Sequence, residues 1–285
     1  MLKQRLLWGS ILIAFIVALI WFDHLRQDNT GFTVLLFIVV LLGLYEFYHM
    51  FTNIGLVISK TLPIAMITIL IVGQWLSEHL HYRCFVSFSL VFTFFLFGST
   101  IQYLLRARDK TSPTHLNSLF ISIVGFIYIY WCLSFVWGIR QEVLLGEHLF
   151  IWFLAVTKMA DTLAYFGGTL LGRHLLAPAI SPRKTIEGFI CALIGGTLFG
   201  LLLWHIMDFS EYLKWYYMIP IGLGCTLAGQ LGDLLESLIK RYCKIKDSGR
   251  FFPGLGGVLD LVDSLILSAP ITYYLMKIHL YGHPY

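Results

Sequence analysis

Charge is what this sequence has least of. Asp, Glu, Lys and Arg make up only 13% of its 285 residues, hydrophobic residues make up 58%, and the mean hydropathy is +0.78. Soluble domains carry about 25% charged residues, so a soluble chain of this length would lack the polar surface to cover itself. Cysteine is also sparse and has no pattern. Cys84, Cys132, Cys191, Cys225 and Cys243 include no C-x-x-C pair, which argues against a disulfide framework and a zinc site and leaves them as small hydrophobes in helices. No small-residue cleavage site of the A-x-A type follows the first apolar run, 6–22, although Lys3 and Arg5 precede it. That run reads as an uncleaved first transmembrane helix rather than a signal peptide. Internal repeats, low-complexity tracts and a soluble domain are missing too. The expectation is one membrane domain over 1–285, with plain hydrophobic spans in 1–140 and polar-bearing spans in 149–278.

The apolar residues come in runs of roughly 20, the length that crosses a hydrocarbon core of about 30 Å. They predict an all-α polytopic membrane protein with about nine transmembrane helices, near 6–22, 31–51, 56–76, 84–105, 117–137, 149–171, 187–207, 216–239 and 258–278. Pro63, Pro220 and Pro270 fall in or near spans, where they kink helices. With nine spans, the side holding the N-terminus collects fourteen of the twenty Lys and Arg residues, among them Arg106, Arg108, Lys110, Arg183, Lys184, Lys240, Arg241, Lys244, Lys246 and Arg250. The opposite side holds Arg26, Arg83, Arg140, Lys214 and Lys277, and Lys158 lies inside span six. Basic residues gather on the cytoplasmic side, so the N-terminus is expected there.

The polar residues within spans are unevenly placed. In the first five spans Glu46, with Tyr45, Tyr48 and His49, reads either as a functional group or as a side chain reaching the interface. Span six carries Lys158 and Asp161 on one helical face, either a functional pair or a mutually satisfied pair that fixes packing. Span eight places Gln230, Asp233, Glu236, Ser237 and Lys240 on one face. Span nine opens with Gly256 and Gly257 and carries Asp260, Asp263 and Ser264. Carboxylates converging at low dielectric repel unless a cation lies between them, and hard oxygen ligands suit Mg²⁺. The bland alternative is that each acid is paired with a lysine or a backbone donor. The loop from Lys240 to Gly254 is basic and rich in glycine. It reads either as a topology signal or as a phosphate cradle, since Gly249, Gly254, Gly256 and Gly257 admit close approach of backbone N–H groups ahead of a helix N-terminus. The loop from Ile180 to Gly188 repeats the theme with Ser181, Lys184 and Thr185.

These residues resemble the signature of the phosphatidate cytidylyltransferase family over roughly the last 125 residues. The matching stretches are Asp161 to Gly167, Ile180 to Gly188, Gln230 to Ser237, and Ser237 onward through Lys240, Arg241, Lys246, Asp247, Pro253, Gly254, Gly256, Gly257, Asp260 and Asp263. Leu255 stands where the family usually has His, and Leu261 where it usually has Arg. The resemblance implies cytidylyl transfer from CTP to phosphatidic acid, giving CDP-diacylglycerol and pyrophosphate, and makes 149–278 the catalytic part. It implies an active site on the cytoplasmic side of the last four helices, in a multi-pass protein of a bacterial inner membrane. On this basis Asp233 and Asp260 are the expected principal metal ligands, with Asp263, Glu236 and Asp161 supporting them. Lys240, Arg241 and Lys246 are expected on CTP phosphates, and Ser181, Lys184 and Thr185 on phosphate at the second loop. Ser237, Asp247, Gly256 and Gly257 complete the expected substrate contacts. Mg²⁺ is the expected cofactor, with a second cation left open. The expected partners are CTP, phosphatidic acid and the bilayer, with a homodimer left open and no nucleic acid. The rival readings are a CTP-dependent polyprenol or phytol kinase, a cytidylyltransferase acting on another lipid phosphate and, more remotely, a secondary transporter, whose sites would lie near the bilayer midplane.

Overall fold

A computed structural model describes residues 2–79, 88–107, 113–142, 145–207, 209 and 212–281. Arg83, Cys84, Arg108 and Lys110 lie outside the described residues. The helices are α1 Leu2–Arg26, α2 Thr30–Thr52, α3 Thr61–His79, α4 Phe88–Ala107, α5 Pro113–Gly125, α6 Cys132–Arg140, α7 Gly146–Leu171, α8 Ile186–Ile206, α9 Trp215–Tyr242 and α10 Val258–Tyr281. A wide π-helical stretch, Phe126–Trp131, joins α5 to α6. The protein is therefore all-α and polytopic. Among the described residues seven helical stretches are long and apolar enough to cross a membrane, while Thr61–Gly73 and Val91–Leu105 are apolar but shorter. α3 starts at Thr61 rather than 56, which places Pro63 in the first turn, where its missing N–H costs no intrahelical bond.

The chain forms two compact units. The first comprises Met1–Trp131 and Asp247–Leu261, the second Cys132–Lys246 and Val262–Tyr285. The core of the first is aromatic. Phe95 and Phe126 stack at 4.4 Å, and Leu44, Phe47, Tyr48 and Ile129 are buried around them. Gly125 lets α5 close onto α2, since a Cβ there would lie 2.9 Å from the Phe47 ring. The Tyr48 hydroxyl donates to the Ser122 carbonyl at 2.7 Å, in the turn that leads into the π segment. Where a helix widens, carbonyls need partners from outside it. Asp23, fully buried, accepts from the Gly31 and Phe32 amides at 2.9 and 2.7 Å and so satisfies the start of α2 from α1.

The second unit is built on close backbone packing of small residues, the usual basis of helix association in lipid. A Cβ on Gly188 of α8 would lie 2.6 Å from the Ala164 carbonyl and 3.0 Å from the Gly168 nitrogen on α7. Trp152 of α7 is buried and donates from its indole nitrogen to the Gly200 carbonyl at 2.9 Å. Between these helices the sequence suggests an open loop. The structure instead has an antiparallel hairpin, β1 Leu175–Ala177 with β2 Ser181–Thr185, in which Leu175 faces Thr185 and Ala177 faces Ser181.

Candidate active site

In the second unit, α9 presents the expected polar face, and glycines on the same helix bring α10 against it. A Cβ on Gly232 would lie 2.5 Å from the Asp263 carbonyl, and one on Gly229 3.5 Å from that of Ser264. This draws Asp233 and Asp263 together, and Asp161 from α7 joins them. Asp161 and Asp263 each feel the negative charge of Asp233. Asp161 Oδ1 accepts from Gln230 Nε2 at 3.1 Å, and Oδ2 accepts from Ser264 Oγ at 3.1 Å. Lys158 Nζ donates to Ser264 Oγ at 3.0 Å and lies 3.6 Å from Asp161 Oδ2. A lysine can only donate, so the Ser264 hydrogen is directed to Asp161. Asp161 thus fastens three helices at one point.

Lys184 of β2 reaches Asp233 Oδ2 at 2.7 Å, and Ser237 Oγ approaches Asp233 Oδ1 at 3.4 Å. Glu236 is completely buried and pairs with Lys240 one turn on. Glu236 and Lys240 pair with each other, while two lysines, Lys158 and Lys184, face the carboxyls of Asp161 and Asp233, with Asp263 beside them. Part of the pairing foreseen as the bland alternative is therefore present.

Other expected substrate contacts have local duties in the fold. Thr185 is the N-cap of α8, its hydroxyl accepting from the Gly188 amide at 3.2 Å. Ser181 begins β2 and pairs with Ala177. Arg241 donates to the Ile180 carbonyl at the hairpin tip and to the Ile245 carbonyl, both at 3.2 Å. Lys246 and Asp247 are exposed in the loop that follows α9. Glu187, not singled out from the sequence, accepts from the Arg173 and His174 amides and meets His174 Nδ1 at 2.6 Å, which ties the start of the hairpin to α8.

In the first unit the glycine-rich loop is organised by two carboxylates. Asp260 Oδ2 accepts from the Ser248 amide at 2.9 Å, the Ser248 hydroxyl at 2.8 Å and the Gly257 amide at 2.8 Å. Glu46, buried on α2, accepts from the Val258 amide at 3.0 Å, the Leu259 amide at 2.8 Å and the Ser248 hydroxyl at 3.1 Å. The N–H groups at the start of α10, which the sequence suggests for substrate phosphate, are thus taken by protein carboxylates. Gly256 adopts φ +97°, a conformation glycine tolerates, and a Cβ there would run into Asp260. Glu46, left open between a functional group and a side chain reaching the interface, is buried and bound to the start of α10. Its signal was an acid inside an apolar span.

The donors of the second unit suit a hard divalent cation by chemistry. Among the described residues no three of His, Cys, Asp or Glu are close enough to cage a metal by themselves. Mg²⁺ does not require that, since it is commonly held by one or two carboxylates together with waters and substrate phosphates. The oxygen donors of Asp233 and Asp263 fit such an ion.

Fold and site together define a polytopic helical membrane protein with acid–lysine pairs on its last helices. The chain belongs to the cytidylyltransferase family, whose sequence profile matches residues 3–279, and is accordingly a nucleotidyltransferase. It is 31% identical over 270 residues to a phosphatidate cytidylyltransferase of Staphylococcus haemolyticus, covering 93% of this chain and 97% of the relative. Proteins of the same name from Staphylococcus saprophyticus and Staphylococcus epidermidis are 35% identical over 204 residues and 29% over 276. The first alignment covers 72% of each chain, the second 93% of this chain and 97% of the relative.

Proposed function

We propose that this protein transfers the cytidylyl group of CTP to phosphatidic acid, giving CDP-diacylglycerol and pyrophosphate, from the cytoplasmic side of a bacterial inner membrane. The observation that carries the reading is the cluster of Asp161, Asp233 and Asp263 with Lys158 and Lys184, in a chain whose relatives are named for this reaction. In the reaction a phosphate oxygen of phosphatidic acid attacks the α-phosphorus of CTP and forms the new P–O–P link. The bond from the α-phosphorus to the bridging oxygen breaks, and pyrophosphate leaves with that electron pair. The second pKa of a phosphate monoester is about 6, so the nucleophile is largely dianionic at neutral pH. No general base is needed, and Leu255 in place of the family's usual histidine is no obstacle.

The difficulty is bringing two polyanions together. Asp233 and Asp263 would hold Mg²⁺ together with water and substrate phosphate, with Asp161 beside them, and the bound ion would neutralise phosphate charge and align attacking and leaving oxygens. Lys158 and Lys184 face carboxylates in the absence of substrate and turn to phosphate oxygens when substrate arrives. Gln230 and Ser264 keep Asp161 in place, and Ser237 supports Asp233. Lys240, Arg241 and Lys246 add positive charge for the CTP phosphates and the departing pyrophosphate. Asp260 enters as the organiser of the glycine loop, since its Oδ2 is already committed to three donors.

The test uses purified full-length protein, CTP labelled at its α-phosphate, phosphatidic acid and Mg²⁺. Label in the lipid phase with pyrophosphate in the water is the expected result. Asp233→Asn and Asp263→Asn should each lower the rate by about 100-fold or more. Label remaining in water as CDP would mean phosphoryl transfer and overturn the reading, as would full activity in both variants.

A further inference from the structure

The clearest unassigned feature is the environment of Glu46. It sits near the end of an apolar helix, 8% exposed, yet it is 202 residues from Ser248 and more than 200 from Val258 and Leu259, the three residues that donate to it. Each carboxylate oxygen takes one amide at the start of α10: Oε1 that of Val258, Oε2 that of Leu259. The backbone is shaped around this acid. A Cβ built on either Gly249 or Gly257 would collide with the Glu46 carboxylate. Gly249 and Gly257, nine and seventeen residues after Lys240, therefore serve to admit a side chain from α2.

Ser248 joins this acid to the next one. Its hydroxyl lies 2.8 Å from Asp260 Oδ2 and 3.1 Å from Glu46 Oε2, and the Ser248 amide also donates to Asp260. The hydroxyl has one hydrogen to donate, and the two acids share it. The shape of the loop from Ser248 to Gly257 thus follows from two carboxylates, one local in sequence and one remote.

We infer that Glu46 is a positioning residue for nucleotide binding: through the α10 amides and Ser248 it holds the glycine loop in the conformation that receives CTP phosphates. This rests on the reading that the loop serves cytidylyl transfer. Glu46 does not touch substrate. It fills the α10 N-terminus with protein charge and so directs the nucleotide to the loop rather than to the helix end.

Glu46→Gln tests this, because the isosteric amide loses the negative charge and presents an NH₂ where one backbone amide needs an acceptor. Loss of a charge-assisted contact of this kind should raise KM for CTP about tenfold and lower the melting temperature, leaving KM for phosphatidic acid nearly unchanged. Hydrogen exchange at the 258–259 amides should quicken in the same variant, a readout that does not depend on any reaction. Gly249→Ala should reproduce the KM defect alone and add nothing further in Glu46→Ala, because removing the carboxylate makes room for the methyl group. Ser248→Ala gives a milder variant should Glu46→Ala not fold. Unchanged exchange at the 258–259 amides, or equal changes in both KM values, overturns the inference. A wild-type chain that makes no CDP-lipid while Glu46→Gln still loosens those amides would instead overturn the proposed reaction alone.

Discussion

Lys184 shows how much rests on single side chains. Its ammonium lies 2.7 Å from Asp233 Oδ2, in a group that also holds the carboxyls of Asp161 and Asp263. Lys184→Gln removes a cation from among these acids, so they repel more strongly and phosphate binding loses a partner. We expect kcat/KM for CTP to fall about 100-fold, roughly 2.7 kcal/mol of transition-state stabilisation, measured by lipid-phase label at several CTP concentrations. Cys243 shows the opposite case. It is buried just beyond α9, and burial pushes its thiol up to about 11. The thiolate is the reactive form, so below that value the residue is a neutral thiol. Peptide mass spectrometry after iodoacetamide treatment at pH 7.5 should find Cys243 largely unmodified in the folded protein and modified after denaturation. The sequence made both the acids and the lysines visible as types. Which lysine faces which acid was not visible, because Lys184 and Asp233 lie 49 residues apart and only packing pairs them.

At the scale of elements, the helices were readable because lipid-spanning segments must satisfy every backbone group internally, and apolar runs of the right length have few alternatives. The hairpin was not. Leu175–Ala177 is too short to announce a strand, and Ser181–Thr185 is short, polar and carries a proline, so it reads as a loop. Thr185 illustrates the overlap: a residue read for phosphate is the N-cap of α8. Packing of α7 on α8 depends on Gly188, where any side chain meets the backbone of Ala164 and Gly168, which cannot give way as a side chain would. Gly188→Ala should destabilise the protein by about 1–3 kcal/mol, seen as a lower melting temperature of the purified chain in detergent. Little or no shift would mean that the two helices are free to separate.

For the whole molecule, the segregation of basic residues calls for the loops around Arg183 and Lys244 to face the cytoplasm and the turn after α6 to face the other side. Single cysteines introduced at Arg183, Lys244 and Gln141 of a cysteine-free chain, probed with a membrane-impermeant maleimide, test this. The first two should label in inverted vesicles and the third in intact cells stripped of their outer envelope. The reverse pattern would place the acid cluster on the wrong side for a cytosolic nucleotide.

Composition and run length alone determined that this is a multi-spanning helical membrane protein, because hydrocarbon imposes one solution on any apolar chain. The ordered signature over the last 125 residues pointed to the kind of chemistry through its resemblance to the cytidylyltransferase family. Tertiary structure alone decided which charges neutralise one another, which of the expected substrate contacts cap and tie the fold, and that Glu46 belongs to the glycine loop. Those depend on contacts between residues tens to hundreds of positions apart, set by where glycines let backbones and side chains close in, and no local pattern encodes such distances.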